Sequence, residues 1–281
     1  MKKITVIILA MVLALGTLVS CSPKVNPENE ISAAVHVDGA IFSGTDGKSI
    51  ALTAKFNPDW LTAGDNTVYN GNLAAFAALL STDTYFREKD LAKGTQNRVI
   101  TDGTEEYSFA SLMTAFGFTD TEHVESYKAK TYETDTNDSV TMNLAHCLWS
   151  DRDVYVVAVR GCFSAGEWMS AFDPGTQSDD SHPDWKNRTN MKGFDIAANR
   201  ALEFINGFVS AHDDPGKPNS ILITGHSRGA AIAEILGAMF EDNEDFSSRT
   251  YVFNSMAVTT DEKAKNYRTV FNIFDSGDLY M

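Results

Sequence analysis

Residues 221–232 read Ile-Leu-Ile-Thr-Gly-His-Ser-Arg-Gly-Ala-Ala-Ile, and this stretch decides the fold that we expect. An apolar run typical of a buried strand comes first, and an alanine-rich run typical of a helix follows. Between them lies Gly-x-Ser-x-Gly, in the strand-before and helix-after context that a nucleophile elbow requires. The pattern predicts a sharp turn with the Ser227 hydroxyl at its tip, so Ser227 is the candidate nucleophile.

The residues around this serine fit the same interpretation. Gly225 and Gly229 carry no Cβ, so strand and helix can pass each other closely at a strained turn. The first N–H groups of the helix would face a developing oxyanion. The apolar residues that follow fall on one helix face: Ile232, Ile235, Leu236 and Met239.

The rest of the chain alternates strand and helix patterns. Residues 154–159 form a continuous apolar run, as expected for a strand buried on both faces. Such alternation favours a mainly parallel sheet with helices on both faces. Residues 22–66 and 94–103 carry turn formers and polar residues, and we expect irregular structure there. Further strands are predicted at 140–149, 250–253 and 270–274, and helices at 69–80, 109–116, 168–172 and 194–208.

The first twenty residues resemble a signal peptide. Lys2 and Lys3 precede an apolar stretch at 4–19, which is too short and wrongly flanked for a membrane span. The stretch ends Leu-Val-Ser-Cys, which looks like a bacterial lipobox. The resemblance implies that Cys21 is lipidated and anchors the mature protein on the extracytoplasmic side of the cell envelope; several acyl chains would hold it firmly. The alternative is a plain signal peptide with an incidental cysteine.

Charge and cysteine content exclude several classes of partner. The formal net charge is −15, and without Lys2 and Lys3 it becomes 21 − 38 = −17. This balance argues against nucleic acid and against a basic patch for anionic lipid. Cys147 and Cys162 are expected on two strands of a hairpin but out of register, so no disulfide is predicted. No Cys/His cluster has zinc spacing and no calcium loop is present, so we expect neither metal nor cofactor.

Four motifs together resemble the fungal-type (class 3) lipase family of α/β-hydrolases, and particularly its bacterial members. Residues 156–162 are similar to a family strand that ends in Arg-Gly-Thr or Arg-Gly-Ser, and Glu167-Trp168 falls where the family has a lid helix. Residues 191–194 resemble the His-x-Gly-Phe helix start, with Met in place of His. Residues 224–231 resemble the family elbow, with Arg228 where many members have Leu.

The resemblance implies an α/β-hydrolase domain at 67–281, after a signal peptide at 1–20 and a tether with irregular structure at 21–66. Ser227 would be the nucleophile, and the backbone N–H groups of Arg228 and Cys162 would form the oxyanion hole. A thiol at 162 is a weaker donor than the hydroxyl that the family often has there. Residues 164–172 would form a mobile lid over the pocket.

The triad acid and base are expected near the C-terminus. Residues 275–279 resemble the family's Asn-x-Asp-Asp-Leu loop, which makes Asp278 the predicted triad acid and Asp275 the alternative. The histidine base should follow the acid, but none follows Asp278 as far as Met281. We therefore expect the base to lie in a C-terminal part that is missing here; His182 is the alternative within the chain.

These features favour a serine ester hydrolase of the lipase or carboxylesterase type that acts on acyl esters or lipids without a cofactor. Without its base the Ser227 hydroxyl is a weak nucleophile, so this chain is expected to be weakly active or inactive. Two alternatives stay open. One is a non-catalytic, membrane-anchored binding lipoprotein that keeps the fold, and the other is a different acyl hydrolase, such as a thioesterase or peptidase.

Overall fold

A computed structural model describes residues 25–38, 50–85, 98–101, 108–126, 139–162, 165–171, 190–259 and 265–274. The strands are β1 (Ile31–Asp38), β2 (Ile50–Phe56), β3 (Arg98–Thr101), β4 (Asp120–Ser126), β5 (Val140–Trp149), β6 (Arg152–Val159), β7 (Asn219–His226), β8 (Phe246–Phe253) and β9 (Val270–Ile273). The helices are α1 (Asp59–Thr62), α2 (Gly71–Asp83), α3 (Phe109–Ala115), α4 (Ala165–Ala171), α5 (Lys192–His212) and α6 (Arg228–Glu241).

The main sheet has six strands in the order β4-β5-β6-β7-β8-β9. The strands from β6 to β9 are parallel neighbours, whereas β5 runs antiparallel to both β4 and β6. Helices α5 and α6 pack on one face, and α1, α2 and α3 pack on the other. This mainly parallel sheet with helices on both faces and a nucleophile elbow after its central strand is the expected α/β-hydrolase fold.

Strand β6 shows why its sequence is apolar without interruption. Val154, Val156 and Ala158 point into the core under α2. Tyr155, Val157 and Val159 point into the core under α5 and α6. Successive side chains of a strand face opposite sides, so a strand covered on both faces needs an apolar residue at every position. Each valine of the strand contributes about 1.5–3 kcal/mol when fully buried.

A second sheet corrects two expectations for the N-terminal half. Residues 31–56, expected to be irregular, contribute β1 and β2, and the expected loop at 94–103 contributes β3; the sheet order is β2-β1-β3, all antiparallel. Phe56 stacks on Phe76 of α2 with ring centroids 4.6 Å apart. The short strands alternate small and large apolar residues among polar ones, and that weak pattern did not reveal them. Strand β4, which is mostly polar, was not predicted either.

Most other expectations within the described residues are confirmed. Helix α3 ends as predicted, with Gly117 at a φ of 85°. The β5–β6 hairpin turns next to Ser150, and Cys147 lies opposite Val154 rather than near Cys162. Both thiols are free. No helix in the described ranges is both long and apolar enough to cross a membrane.

Several residues with a predicted role lie outside the described ranges. These are the leader with its lipobox, the alternative base and the two candidate acids: residues 1–20, Cys21, His182, Asp275 and Asp278.

Candidate functional site

The turn between β7 and α6 has the geometry of a nucleophile elbow. Ser227 adopts φ 57° and ψ −126°, a backbone conformation that costs a residue with a side chain about 1–3 kcal/mol. Its N–H donates to the carbonyl oxygen of Phe253 at 3.0 Å, and its own carbonyl accepts from the Ala231 N–H at 3.1 Å. Backbone hydrogen bonds on both sides thus hold the strained residue, which is half-buried at the end of β7.

The two glycines of the motif are required by close backbone approach. A Cβ on Gly225 would overlap the carbonyl group of Gly229. A Cβ on Gly229 would overlap the carbonyl oxygen of Val159 at the end of β6. Any side chain at either position would push helix α6 away from the sheet, and the tip of the elbow would move with it.

The segment after β6 lies directly against the elbow, as the oxyanion-hole prediction requires. A Cβ on Gly161 would overlap the carbonyl oxygen of His226, so residues 161 and 162 are neighbours of Ser227. Arg228 is the first residue of α6. The first N–H groups of any helix have no acceptor within that helix, so they can donate to a bound oxyanion. The segment that contains Cys162 and the start of α6 at Arg228 therefore both lie next to Ser227, and the oxyanion-hole assignment stays a prediction. Burial raises the pKa of the Cys162 thiol to about 12, so the thiol stays neutral.

A tyrosine that sequence analysis did not identify packs against the segment that follows β6. Tyr85, at the end of α2, is buried, and its hydroxyl lies 2.9 Å from Nδ1 of His226. Its oxygen also lies so close to Gly161 that a Cβ there would overlap it. Burial raises the pKa of Tyr85 above its ordinary value, so the phenol stays protonated. The partners are 141 residues apart in sequence, a separation at which no local pattern links them.

Two buried arginines connect the site to helix α4. Arg160 Nη2 donates to Glu167 Oε1 at 3.2 Å, and these side chains are 1% and 2% exposed. Arg228 Nη2 donates to the Ser139 carbonyl at 2.9 Å and to Ser170 Oγ at 3.2 Å. Helix α4 is therefore held to the end of β6 and to the elbow through its polar face.

These contacts attach the described part of the predicted lid at 164–172, whose mobility stays a prediction. Within the described part of that segment, Trp168 and Met169 point outward and are exposed, whereas the polar face points inward. Sequence reasoning treats a glutamate on a short helix as a surface residue, since Glu is seldom buried unless it is paired. The buried partner at Arg160 becomes visible only in three dimensions.

The edge of the sheet that carries Ser227 also receives the chain from β9. Strand β9 runs parallel to β8, and the Asn254 N–H donates to the Ile273 carbonyl at 2.9 Å. Ile273 and Phe274 therefore lie at the same edge of the sheet as the elbow. The assignments of Asp278 and Asp275 stay predictions.

Each of four described histidines has a polar partner other than Ser227. His226 Nδ1 faces Tyr85. His123 contacts Asn143, and His212 contacts the Phe208 carbonyl. His146 contacts both Asp120 and Asp153. No base for Ser227 is assigned among them.

Comparison with known proteins confirms the family resemblance. Residues 156–279 match the family model of class 3 lipases, and no curated protein matches the chain. Among solved structures, Rhizomucor miehei triacylglyceride lipase is similar at 16% identity and a TM-score of 0.42, over 66% of this chain and 62% of that one. Nonglycosylated Yarrowia lipolytica LIP2 lipase is similar at 15% identity and a TM-score of 0.41, over 66% and 59%. The chain thus spans less than two thirds of either lipase.

Proposed function

Residues 156–279 carry the sequence pattern of class 3 lipases, and from this premise we propose that the protein is a serine ester hydrolase of the lipase or carboxylesterase type. Its substrates are acyl esters or lipids. The observation that carries the proposal is Ser227 at the tip of a strained elbow, next to the segment that ends β6.

The proposed reaction is acyl transfer through Ser227. Its oxygen attacks the ester carbonyl while its proton passes to a histidine base, which then gives that proton to the departing alcohol. The N–H groups of Arg228 and Cys162 stabilise the oxyanion of the tetrahedral intermediate. Water then attacks the acyl-enzyme and releases the acid. Asp278 orients the histidine, which we do not assign to a described residue.

The strain at Ser227 favours a hydrolase over a binding module. A fold kept only for binding gains nothing from a serine at φ 57°, because a glycine there would relieve the backbone strain. Strained residues of this kind cluster at active sites, where the surrounding structure holds them in place. The close backbone contacts at Gly225 and Gly229 also hold the turn in this conformation.

The direct test is ester hydrolysis with nitrophenyl acetate, butyrate and palmitate. We would compare this chain, the protein translated to its gene's own stop codon, and the Ser227→Ala variant of each. The protein translated to its gene's own stop codon should hydrolyse at least one ester. Its Ser227→Ala variant should have a kcat/KM at least about 10³-fold lower. Ser210→Ala, on the exposed face of α5, is the matched control and should change nothing.

The outcomes separate the alternatives. Faster turnover of thioesters or peptides than of esters would identify a different acyl hydrolase. A folded protein that is inert on all three substrate classes would make the binding lipoprotein the better account. Full activity of the 281-residue chain would assign the base within it, with His182 as the first residue to change.

We further propose that Cys21 carries a lipid anchor, which would place the domain on the extracytoplasmic side of the cell envelope. The support is the Leu-Val-Ser-Cys sequence after the apolar stretch. Labelled palmitate fed to expressing cells should appear on the protein and should be lost in Cys21→Ala. Equal labelling of the wild type and this variant would rule the anchor out.

A further inference from the structure

The turn that follows β8 connects the nucleophile to the neighbouring strand β9. The Phe253 carbonyl accepts from the Ser227 N–H at 3.0 Å. The Asn254 N–H donates to the Ile273 carbonyl, at the end of β9, at 2.9 Å. Asn254 has a φ of 49°, in the left-handed region that residues with a side chain seldom adopt. This turn therefore holds the backbone of Ser227 on one side and the end of β9, which leads to Asp278, on the other.

A carboxyl group on α6 contacts the next residue of this turn. Ser255 Oγ lies 2.6 Å from Glu234 Oε2 and 3.1 Å from the Met256 carbonyl oxygen. Ser255 is 5% exposed, so these two oxygens are its partners rather than bulk water. The contacts join the second turn of α6, the helix that begins directly after the nucleophile, to the turn after β8.

The number of available hydrogens shows which form of Glu234 fits these distances. The Ser255 hydroxyl carries one hydrogen, and an ionised carboxylate can only accept. An ionised Glu234 would take that hydrogen and leave the 3.1 Å contact with the Met256 carbonyl unbonded. A protonated Glu234 donates to Ser255 Oγ, and the Ser255 hydroxyl then donates to the Met256 carbonyl. Only the neutral acid turns both contacts into hydrogen bonds.

The surroundings of Glu234 favour the same neutral form. Burial raises the pKa of its carboxyl group above the ordinary value, and the Ser255 hydroxyl lowers it in part. Helix α6 packs against β6, β7, β8, β9 and α5, and no described charged side chain of these elements contributes to the shift. A carboxylate that is buried without a cation is costly, so the group keeps its proton.

We propose that neutral Glu234, acting through Ser255, is a positioning residue of the acyl-transfer site, and that its ionisation loosens the turn that supports Ser227. The inference rests on the proposed function for the reaction that it affects, whereas the chain of hydrogen bonds is a property of the fold. Loss of the proton removes the hydrogen that the Met256 carbonyl receives. The displaced turn moves the reacting groups, so the change should appear in kcat more than in KM.

The first test is the pH profile of nitrophenyl butyrate hydrolysis by the protein translated to its gene's own stop codon. The neutral acid is present below the folded pKa of Glu234 and is lost as the pH rises through it. The kcat of Glu234→Gln, divided by that of the wild type, should therefore rise at least about threefold between pH 5 and pH 8. The amide is neutral at every pH and can donate to Ser255, and the ratio cancels the titration of the histidine base. A constant ratio would overturn the inference.

Ser255→Ala breaks the chain of hydrogen bonds at its middle member. It should lower kcat at least about fivefold with little change in KM. The matched control is Ser247→Ala at the other end of β8, where the hydroxyl donates to the Leu61 carbonyl at 3.5 Å; it should keep the wild-type kcat. Equal kcat values for the two serine variants would refute the positioning role, while ester hydrolysis, and with it the proposed function, would stand.

Hydrogen exchange separates this inference from the proposed function. After correction for the intrinsic pH dependence of exchange, the Ser227 and Asn254 amides should lose protection as the pH rises in the wild type but not in Glu234→Gln. A protein that is inert on esters would refute the proposed function, and these two amides would still show whether Glu234 controls the turn. Protection that is equal in both proteins at pH 5 and at pH 8 would overturn the inference. Circular dichroism would show that each variant is folded.

Discussion

At the scale of single residues, the sequence predicted best those positions where both a reactive side chain and an unusual backbone conformation restrict the residue type. Ser227, Gly225 and Gly229 could be predicted because few sequences satisfy a tight strand-to-helix turn. The role of Tyr85 could not be predicted, since its partner His226 lies 141 residues away in the chain. A histidine in a strand pattern gives no sign of which side chains will face its ring nitrogens.

The strain at Ser227 predicts an unusual order of stabilities. Ser227→Gly should be more stable than Ser227→Ala by about 1–2 kcal/mol, because glycine adopts positive φ without a Cβ clash. Both variants lack the hydroxyl, so side-chain chemistry does not separate them. Urea unfolding of the two variants measures the difference. An alanine variant as stable as the glycine variant would show that the turn is not strained.

Glu234 on α6 predicts a specific dependence of stability on pH. Burial raises the pKa of this carboxyl group above its ordinary value, although the Ser255 hydroxyl, 2.6 Å away, lowers it in part. The folded state thus holds the proton more tightly than the unfolded state. This contribution to stability is present at low pH and is lost as the pH rises through the folded pKa.

Glu234→Gln should therefore be more stable than the wild type at pH 8, and the difference should shrink towards pH 4, where both side chains are neutral. The amide keeps an oxygen that can accept from Ser255. Guanidinium unfolding at several pH values checks this, and an advantage that grows on acidification would contradict it.

At the scale of elements, strands covered on both faces were the easiest to predict. The apolar runs of β6 and β7 allowed one interpretation, whereas β1, β2 and β4 mix polar and small residues, as edge or one-sided strands do. Helix α4 was predicted, but its attachment was not. Its inward face is polar, and a buried ion pair does not differ in sequence from a solvated one.

The buried ion pair that attaches α4 predicts that removal of the Glu167 charge greatly lowers the free energy of unfolding. Glu167→Ala leaves the Arg160 guanidinium buried without this carboxylate, and breaking a buried pair in this way costs about 3–5 kcal/mol. Met169→Ala on the exposed side of the same helix should change stability by less than about 0.5 kcal/mol. Urea unfolding measures both variants.

Hydrogen exchange gives the corresponding local result. Amides at 165–171 should be protected in the wild type and exchange faster in Glu167→Ala. Fast exchange there in the wild type would support the mobile-lid interpretation.

At the scale of the whole molecule, the small antiparallel sheet packs into the same core as the main sheet and does not form a separate tether. Phe56 packs against Phe76 and lies 5.4 Å from Phe118, ring centroid to ring centroid. Its residues belong to the same buried cluster as Val156 and Leu222 of the main sheet. The N-terminal segment should therefore unfold together with the main sheet.

Phe56→Ala tests this cooperativity. The loss of a fully buried ring should lower the free energy of unfolding by about 3–5 kcal/mol. The small sheet and the elbow region should still unfold in one transition. Circular dichroism and hydrogen exchange across a urea series would follow both. A change below about 1 kcal/mol, or an early separate transition of residues 31–56, would mean that the small sheet is a dispensable attachment.

The central claim is that Ser227 is the nucleophile of an acyl-transfer site. The most direct measurement is covalent labelling with a fluorophosphonate, followed by peptide mapping, on the protein translated to its gene's own stop codon. We predict a single adduct on Ser227, slowed by an excess of nitrophenyl butyrate and absent from the Ser227→Ala variant. A folded protein that gains no adduct, or one whose adduct lies on another residue, would contradict this claim.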